Sequence, residues 1–290
     1  MFNDRIWKKT KAILILLTFG AAVHAQTIQY EQEDSIKVMQ LLSDAQKLTG
    51  STNWMIHFAR QLRGVPYVGK TLEKNEQEQI VVNLRELDCT TYVETVLALT
   101  LCQQNKKNTF RDYFDYLRQI RYRNGQVGYP TRLHYFSEWI ADNTHMGFVQ
   151  ERQTPNPPFT KVQTLHTDYM SQHVSQYPML VKNPSWVEKI RQMEQKLSGQ
   201  RFRYIPKESI KNTRLFRNTI QDGDIIAITT KKQGLDTSHI GIAVWHKDGL
   251  HLLNASQIRK KVVEEPMTLY TYMQKHPSQE GIRIISVVRN

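Results

Sequence analysis

The chain is sparing with cysteine, proline and glycine: its 290 residues hold 2, 10 and 13 of them. Two cysteines exclude a disulfide-rich miniature scaffold and any zinc site built from four thiolates. So little proline and glycine beside 40% hydrophobic residues excludes a fibrous repeat or a disordered tract. Beyond the N-terminus no apolar run approaches bilayer length, and a mean hydropathy of -0.54 excludes a polytopic membrane protein. What remains is a globular chain of formal net charge +12, long enough for one large domain or two small ones.

Arg5, Lys8, Lys9 and Lys11 precede an apolar stretch from Ala12 to Val23, and Val23-His24-Ala25 offers a cleavage position. This tripartite layout predicts a secretory signal peptide over 1–25. The apolar stretch is about 12 residues, too short to span a bilayer as an anchor. The mature chain would be 26–290, with its net charge lowered from +12 to +9. No cysteine lies near the cut to carry a lipid. An exported basic protein favours anionic surroundings such as wall polymers. Charge runs such as Lys106-Lys107 and Lys260-Lys261 are short and scattered, with no aromatic-interleaved basic stripe. Nucleic acid is therefore not an expected partner.

Apolar spacings of three and four predict helices over 34–48, 52–63, 88–103, 109–121, 133–142, 166–177 and 184–198. Asp34, Ser51 or Thr52, and Asp88 stand as caps. After about residue 200 the rhythm becomes β-rich, with strands at 202–205, 224–230, 238–245, 250–255, 259–263 and 282–288, and one helix near 267–275. Helices first and antiparallel strands second define an α+β arrangement. Pro155, Pro157 and Pro158 mark a loop, and nothing separates two autonomous halves.

In an oxidising compartment two cysteines ordinarily pair. Here one helix, uninterrupted by glycine or proline from Leu87 to Cys102, carries both. Their 13-residue separation corresponds to about 20 Å, whereas a disulfide needs Cα atoms within roughly 7 Å. Cys102, ending an apolar stretch, reads as a small core hydrophobe. Cys89 falls at the first helical position, where free N–H groups and the helix dipole should lower its pKa. A buried structural thiol is the competing reading. A thiol nucleophile needs a histidine and a group to hold the ring. His239, opening the apolar strand from Ser238 to Val244, is the best placed of the ten histidines. The next strand offers His251 and Asn254 on opposite faces, only one of which can lie beside His239.

These residues resemble the NlpC/p60 superfamily of papain-like cell-wall hydrolases. The resemblance rests on an ordered series of blocks: Gly64-Val65-Pro66-Tyr67-Val68-Gly69, Asp88-Cys89-Thr90-Thr91-Tyr92-Val93, Gly223-Asp224-Ile225-Ile226, Ser238-His239-Ile240-Gly241-Ile242 and Asn254-Ala255-Ser256. They cover roughly 60–100 and 220–257. Thr90-Thr91 stands where the pattern has Ser-Gly, and Asn254 where many members have histidine. With its long helical insertion, about 105–200, the chain looks most like an N-acetylmuramoyl-L-alanine amidase-like branch. That implies an NlpC/p60 fold of N-terminal helices packed on a C-terminal sheet, in one domain over 26–290. It also implies cleavage of the amide between N-acetylmuramic acid and L-alanine in peptidoglycan fragments, in the periplasm of a Gram-negative bacterium. Cys89 would be the nucleophile, His239 the base then acid, and Asn254 the orienting residue. Tyr67, Asp88 and Ser238, within the same blocks, are assigned to substrate. Most relatives elsewhere in the superfamily cut between D-glutamate and the diamino acid, the alternative specificity; a non-catalytic wall-binding module is another.

Between Tyr122 and Trp139 aromatic and cationic groups concentrate, suited to sugar faces and carboxylates. Arg132, His134 and Tyr135 are the candidates for substrate contact, against the plainer reading of a helix with its aromatics in the core. His166, Asp168 and His173 cluster in sequence, but match no familiar ligand spacing. No metal or other cofactor is expected.

Overall fold

The chain is described here by a computed structural model covering residues 28–48 and 51–289. The expected signal peptide lies outside the described residues. In chain order the elements are β1 (Ile28–Gln29), α1 (Gln32–Gln46), α2 (Trp54–Gln61), β2 (Ile80–Val81), α3 (Cys89–Gln104), α4 (Phe110–Arg121) and α5 (Phe136–His145). There follow β3 (Val149–Arg152), β4 (Lys161–Thr164), α6 (Tyr169–Gln172), α7 (Pro178–Lys182), α8 (Ser185–Leu197) and β5 (Arg201–Pro206). The C-terminal part is α9 (Arg214–Thr219), β6 (Ile225–Thr230), β7 (Thr237–Trp245), β8 (Leu250–Ser256), β9 (Lys261–Glu264), α10 (Leu269–Gln274) and β10 (Gln279–Val287).

A helix that is apolar on every side must be surrounded. From Thr91 to Cys102 every residue of α3 is buried, between α1, α2 and α4 on one side and β7 and β8 on the other. The Tyr92 hydroxyl donates to the Ala59 carbonyl at 3.1 Å, tying α3 to α2. Both cysteines are free, Cys102 fully buried and Cys89 half-buried.

The main sheet is antiparallel, ordered β4-β5-β10-β6-β7-β8-β9, with β3 also on β10. Its central strands are apolar on both faces, as a sheet covered on both sides requires. Ile225, Ala227, Ile240, Ile242 and Leu253 face the α3 core. Ile226, Ile228, Ala243 and Leu252 face a second core with Phe216, Leu269 and Met273. Gly241 is required by close approach: a Cβ there would lie 2.7 Å from the Leu252 side chain and 2.8 Å from the Leu253 carbonyl.

The expected insertion is not purely helical. It contributes β3 and β4 to the sheet, on either side of the Pro155–Pro158 loop. Four-residue strands with mixed polarity, exposed on one face, carry too little period-2 signal to be read in advance. The helix expected over 166–177 is likewise shortened to α6 and one 3-10 turn. Two caps also shift. Glu31 caps α1 with Asp34 inside its first turn, and the Asn53 side chain accepts from Ile56 N–H at the start of α2. Buried Asp34 instead accepts from the Leu84 N–H at 2.9 Å and pairs with Arg85.

The insertion is fastened by buried charge. Fully buried Arg283 on β10 donates twice to Glu151 on β3, at 2.6 and 3.0 Å, and once to Ser137 Oγ of α5 at 2.6 Å. A smaller apolar cluster, including Tyr135, Met170, Leu180 and Ile190, forms beneath α8. Among the described residues no helix is long and apolar enough to cross a membrane.

Candidate active site

Two pieces of local structure aim Cys89. Asp88 caps α3: its Oδ1 accepts from Thr91 N–H at 2.8 Å, and Thr91 Oγ1 accepts in return from Asp88 N–H at 2.9 Å. This capping box fixes Cys89 as the first helical residue. The preceding chain is clamped, since Leu87 N–H donates to the Pro66 carbonyl at 3.0 Å and Val68 N–H to the Leu87 carbonyl at 3.1 Å. That clamp carries half-buried Tyr67 beside the thiol. Burial, then the charges of Cys89 and Asp88, push the Tyr67 hydroxyl up to about 12, so it is a neutral donor.

His239 stands near the start of β7, two residues before the Gly241 contact that seats the strand. Its Nε2 lies 3.0 Å from Oδ1 of fully buried Asn254 on β8. The Asn254 amide is itself oriented, because Nδ2 donates to the Leu252 carbonyl at 3.3 Å. Oδ1 must therefore accept, Nε2 carries the proton, and Nδ1 keeps the lone pair. His251, on the other face of β8, lies 2.8 Å from the Glu265 carbonyl through Nδ1 and 3.0 Å from Asp248 through Nε2. The strand alternation that left His251 and Asn254 open thus places Asn254 beside His239.

Cys89, Ser238 and His239 line one cleft of 220 Å³, together with His134, Tyr135 and Tyr177. Burial and the Asp88 charge push the Cys89 thiol up to about 12, against the N–H groups of Ile240 and Thr90 and the Thr90 hydroxyl. This corrects the expectation of a lowered pKa: the helix end does not outweigh desolvation and the neighbouring carboxylate. Burial also lowers His239 below its ordinary 6.5, the hydrogen bond to Asn254 opposing and the His276 charge assisting. Burial thus favours the neutral form of both groups.

The remaining sequence candidates divide. His134 borders the cleft and is anchored by Nε2, 2.8 Å from the Tyr129 carbonyl. Burial and the Arg132 charge press its pKa to about 3, so it is neutral. Ser238 borders the cleft with its hydroxyl 3.5 Å from the Ile228 carbonyl. Tyr135 lends its ring to the cleft, but its hydroxyl turns inward to Glu194 Oε1 at 2.7 Å. Asp88 is engaged as the cap. Arg132 does not border the cleft: it is buried, paired with Glu73 and Glu78, bonded to the Leu72 carbonyl and stacked over Tyr129. That placement gives its assignment to substrate no contact at the cleft. His173 bonds to the Tyr169 carbonyl through Nδ1 and stacks on the Tyr169 ring, so the 166–173 run is not gathered as a ligand set.

Two contributors carried no motif in the sequence. Asp236 accepts from Ser137 N–H at 2.6 Å and Thr237 N–H at 2.7 Å, joining the cleft wall to the start of α5. Tyr272 sets its ring 6.4 Å from that of His239 and meets His276 at 4.4 Å in a tilted contact. The Asp-Thr-Ser run before His239 was the available signal for the first; nothing marked the second.

An α+β scaffold with a thiol and an oriented imidazole bordering one cleft, at the start of a buried helix against an antiparallel sheet, is the class that fold and site define. Within it the chain belongs to the AmiA-like, N-acetylmuramoyl-L-alanine amidase-like family, which matches residues 57–282. Among solved structures it is similar to an N-acetylmuramoyl-L-alanine amidase from Bacteroides uniformis ATCC 8492. The two are 37% identical with a TM-score of 0.75, over 81% of this chain and 97% of that one. A Bacteroides fragilis protein that carries a provisional xylanase name is also 37% identical, with a TM-score of 0.73 over 79% and 98% of the two chains. A Legionella pneumophila protein, 23% identical with a TM-score of 0.67 over 88% and 95%, shares the fold. No curated protein matches.

Proposed function

We propose that the protein is an exported NlpC/p60-type hydrolase that cleaves the amide between N-acetylmuramic acid and L-alanine in muropeptides, with Cys89, His239 and Asn254 as its catalytic row. The observation that carries this reading is the 3.0 Å contact between His239 Nε2 and Asn254 Oδ1, in which the amide orientation leaves Nδ1 free as the base. As Sγ attacks the lactyl carbonyl carbon, Nδ1 takes the thiol proton. The tetrahedral oxyanion forms at the start of α3, where the Cys89 N–H can donate, a contribution of about 3 kcal/mol when well aimed. Collapse breaks the C–N bond, and imidazolium returns the proton to the departing L-alanine amine. Water, deprotonated by the same ring, then hydrolyses the thioester to a carboxylate and restores the thiol.

Glycoside cleavage, the chemistry of a xylanase name, needs two carboxyl groups flanking the bond. Asp236 is the one carboxylate among the described residues lining the cleft, and backbone N–H groups occupy both its oxygens. The geometry therefore favours amide chemistry. Periplasmic location rests on the leader at 1–25.

Mass spectrometry of defined muropeptides tests the reading. Free N-acetylmuramic acid and intact stem peptide are expected from the parent, with turnover reduced by about 10⁴ in Cys89→Ala. An intact MurNAc-L-Ala-D-Glu product would sink the specificity, and undiminished turnover by Cys89→Ala would sink the mechanism.

A further inference from the structure

The β7–β8 hairpin ends in a group of side chains that the catalytic reading does not use. His246, Asp248 and His251 bring one ligand atom each to within 4.8 Å of one another. His251 is buried, His246 half-buried and Asp248 exposed at the turn, so the group opens to solvent on one side. The two imidazoles lie face to face, with ring centroids 4.1 Å apart, so one ring must turn to bring both in-plane lone pairs onto a shared ion.

The partners behind these rings decide which nitrogens are free. His251 Nδ1 is 2.8 Å from the Glu265 carbonyl, a contact only a ring N–H can make, so in the neutral ring Nε2 keeps its lone pair. That lone pair faces the Asp248 carboxylate at 3.0 Å, an electron-rich meeting that needs a positive charge between or upon the partners. His246 Nε2 is 2.6 Å from Glu264 Oε1, and Glu264 is held in turn by Arg60 through two contacts of 3.0 Å. Each imidazole thus has one nitrogen tied to a carbonyl or carboxylate, the outer support that metal-ligating histidines carry.

We infer that His246, Asp248 and His251 form a site for a divalent ion of the zinc class, pinning the β7–β8 hairpin. Two imidazoles and a carboxylate suit a borderline ion rather than magnesium or calcium, and water from the open side completes a tetrahedral shell. His239 lies near the other end of β7. Seven residues of strand at about 3.3 Å each put the two about 23 Å apart, so the ion is structural and takes no part in the cleft.

Calorimetric titration of zinc chloride into chelator-stripped protein tests this. A Cys89→Ala background removes the thiol as a competing ligand. One equivalent should bind saturably and raise Tm, while magnesium chloride should do neither. Asp248→Asn, at an exposed turn position, should abolish the Tm rise. Glu264→Gln, which removes only outer support, should weaken binding by about 10- to 100-fold. Absence of saturable one-to-one binding would overturn the site in favour of a protonated His251 paired with Asp248. Equal zinc binding by the background and Asp248→Asn would place the ion elsewhere and overturn it too. Neither outcome touches the amidase reading, which turnover by the metal-free parent protein reports separately.

Discussion

Along α3, β7 and β8, the polar groups at the cleft are oriented by neighbours and left with capacity to spare. Asn254 holds His239 through one nitrogen and leaves the other with its lone pair. Between 122 and 197, Arg132 and Tyr135 turn to partners away from the cleft instead. Arg132 closes on Glu73 and Glu78, and Tyr135 on Glu194. Both regions are rich in aromatic and charged residues, so composition does not separate them. What separates the candidates is where the partners of each side chain lie. A cationic or aromatic side chain near a cleft is a substrate contact only when its own hydrogen bonds are unfinished.

After loss of the thiol itself, the largest expected effect in the first region comes from Asn254→Ala. Loss of the group that fixes the imidazole should lower kcat/KM by about 10²-fold or more, within the span of general acid–base catalysis. Steady-state kinetics on a defined muropeptide measures it. Wild-type kcat/KM in the variant would break the catalytic half of the comparison.

Arg132→Met probes the second region. Removing the guanidinium strands Glu73 and Glu78 in the interior, where burial already raises the pKa of Glu78. Breaking such a buried network costs about 3 kcal/mol or more. Urea unfolding should show that loss, while KM of the folded fraction stays at the parent value. A raised KM with unchanged stability would return Arg132 to the substrate.

The same distinction governs what could be read in advance. The blocks around Cys89, His239 and Asn254 were legible because a cap, a strand start and an alternation each constrain direction over a few residues. Both cysteines were placed by helical rise alone. The insertion was less legible because its strands are short and borrow their stability from β10 and β5, partners far away in sequence. The partners of Arg132 were hidden for a related reason: they lie about sixty residues upstream, on no shared motif. The thiol pKa was misjudged because a helix terminus is visible in sequence and desolvation is not.

Acid should separate the two cleft histidines. Burial lowers His239 below 6.5, and the proposed base is its neutral ring. Activity is therefore present above that pKa and is lost as pH falls through it, about tenfold per unit in kcat/KM. The thiol, pushed up to about 12, adds no limb in the neutral range. A limb near 3 instead would transfer the role to His134, whose pKa is about 3.

The smallest effect belongs to Tyr135→Phe, where the two regions meet in one residue. Its ring borders the cleft, while its hydroxyl donates to Glu194 Oε1. Glu194 keeps the Met170 and Ser171 N–H donors at 2.9 and 3.2 Å, so losing the phenol removes one bond of three to that oxygen. The cost should be about 1 kcal/mol of stability, with kcat and KM unchanged because the ring surface facing the cleft survives. Denaturant midpoints and kinetics on the same preparation separate the two roles. If KM rises several-fold while the midpoint stays fixed, the hydroxyl serves substrate, and the closed character assigned to the insertion fails at the one residue that borders both regions.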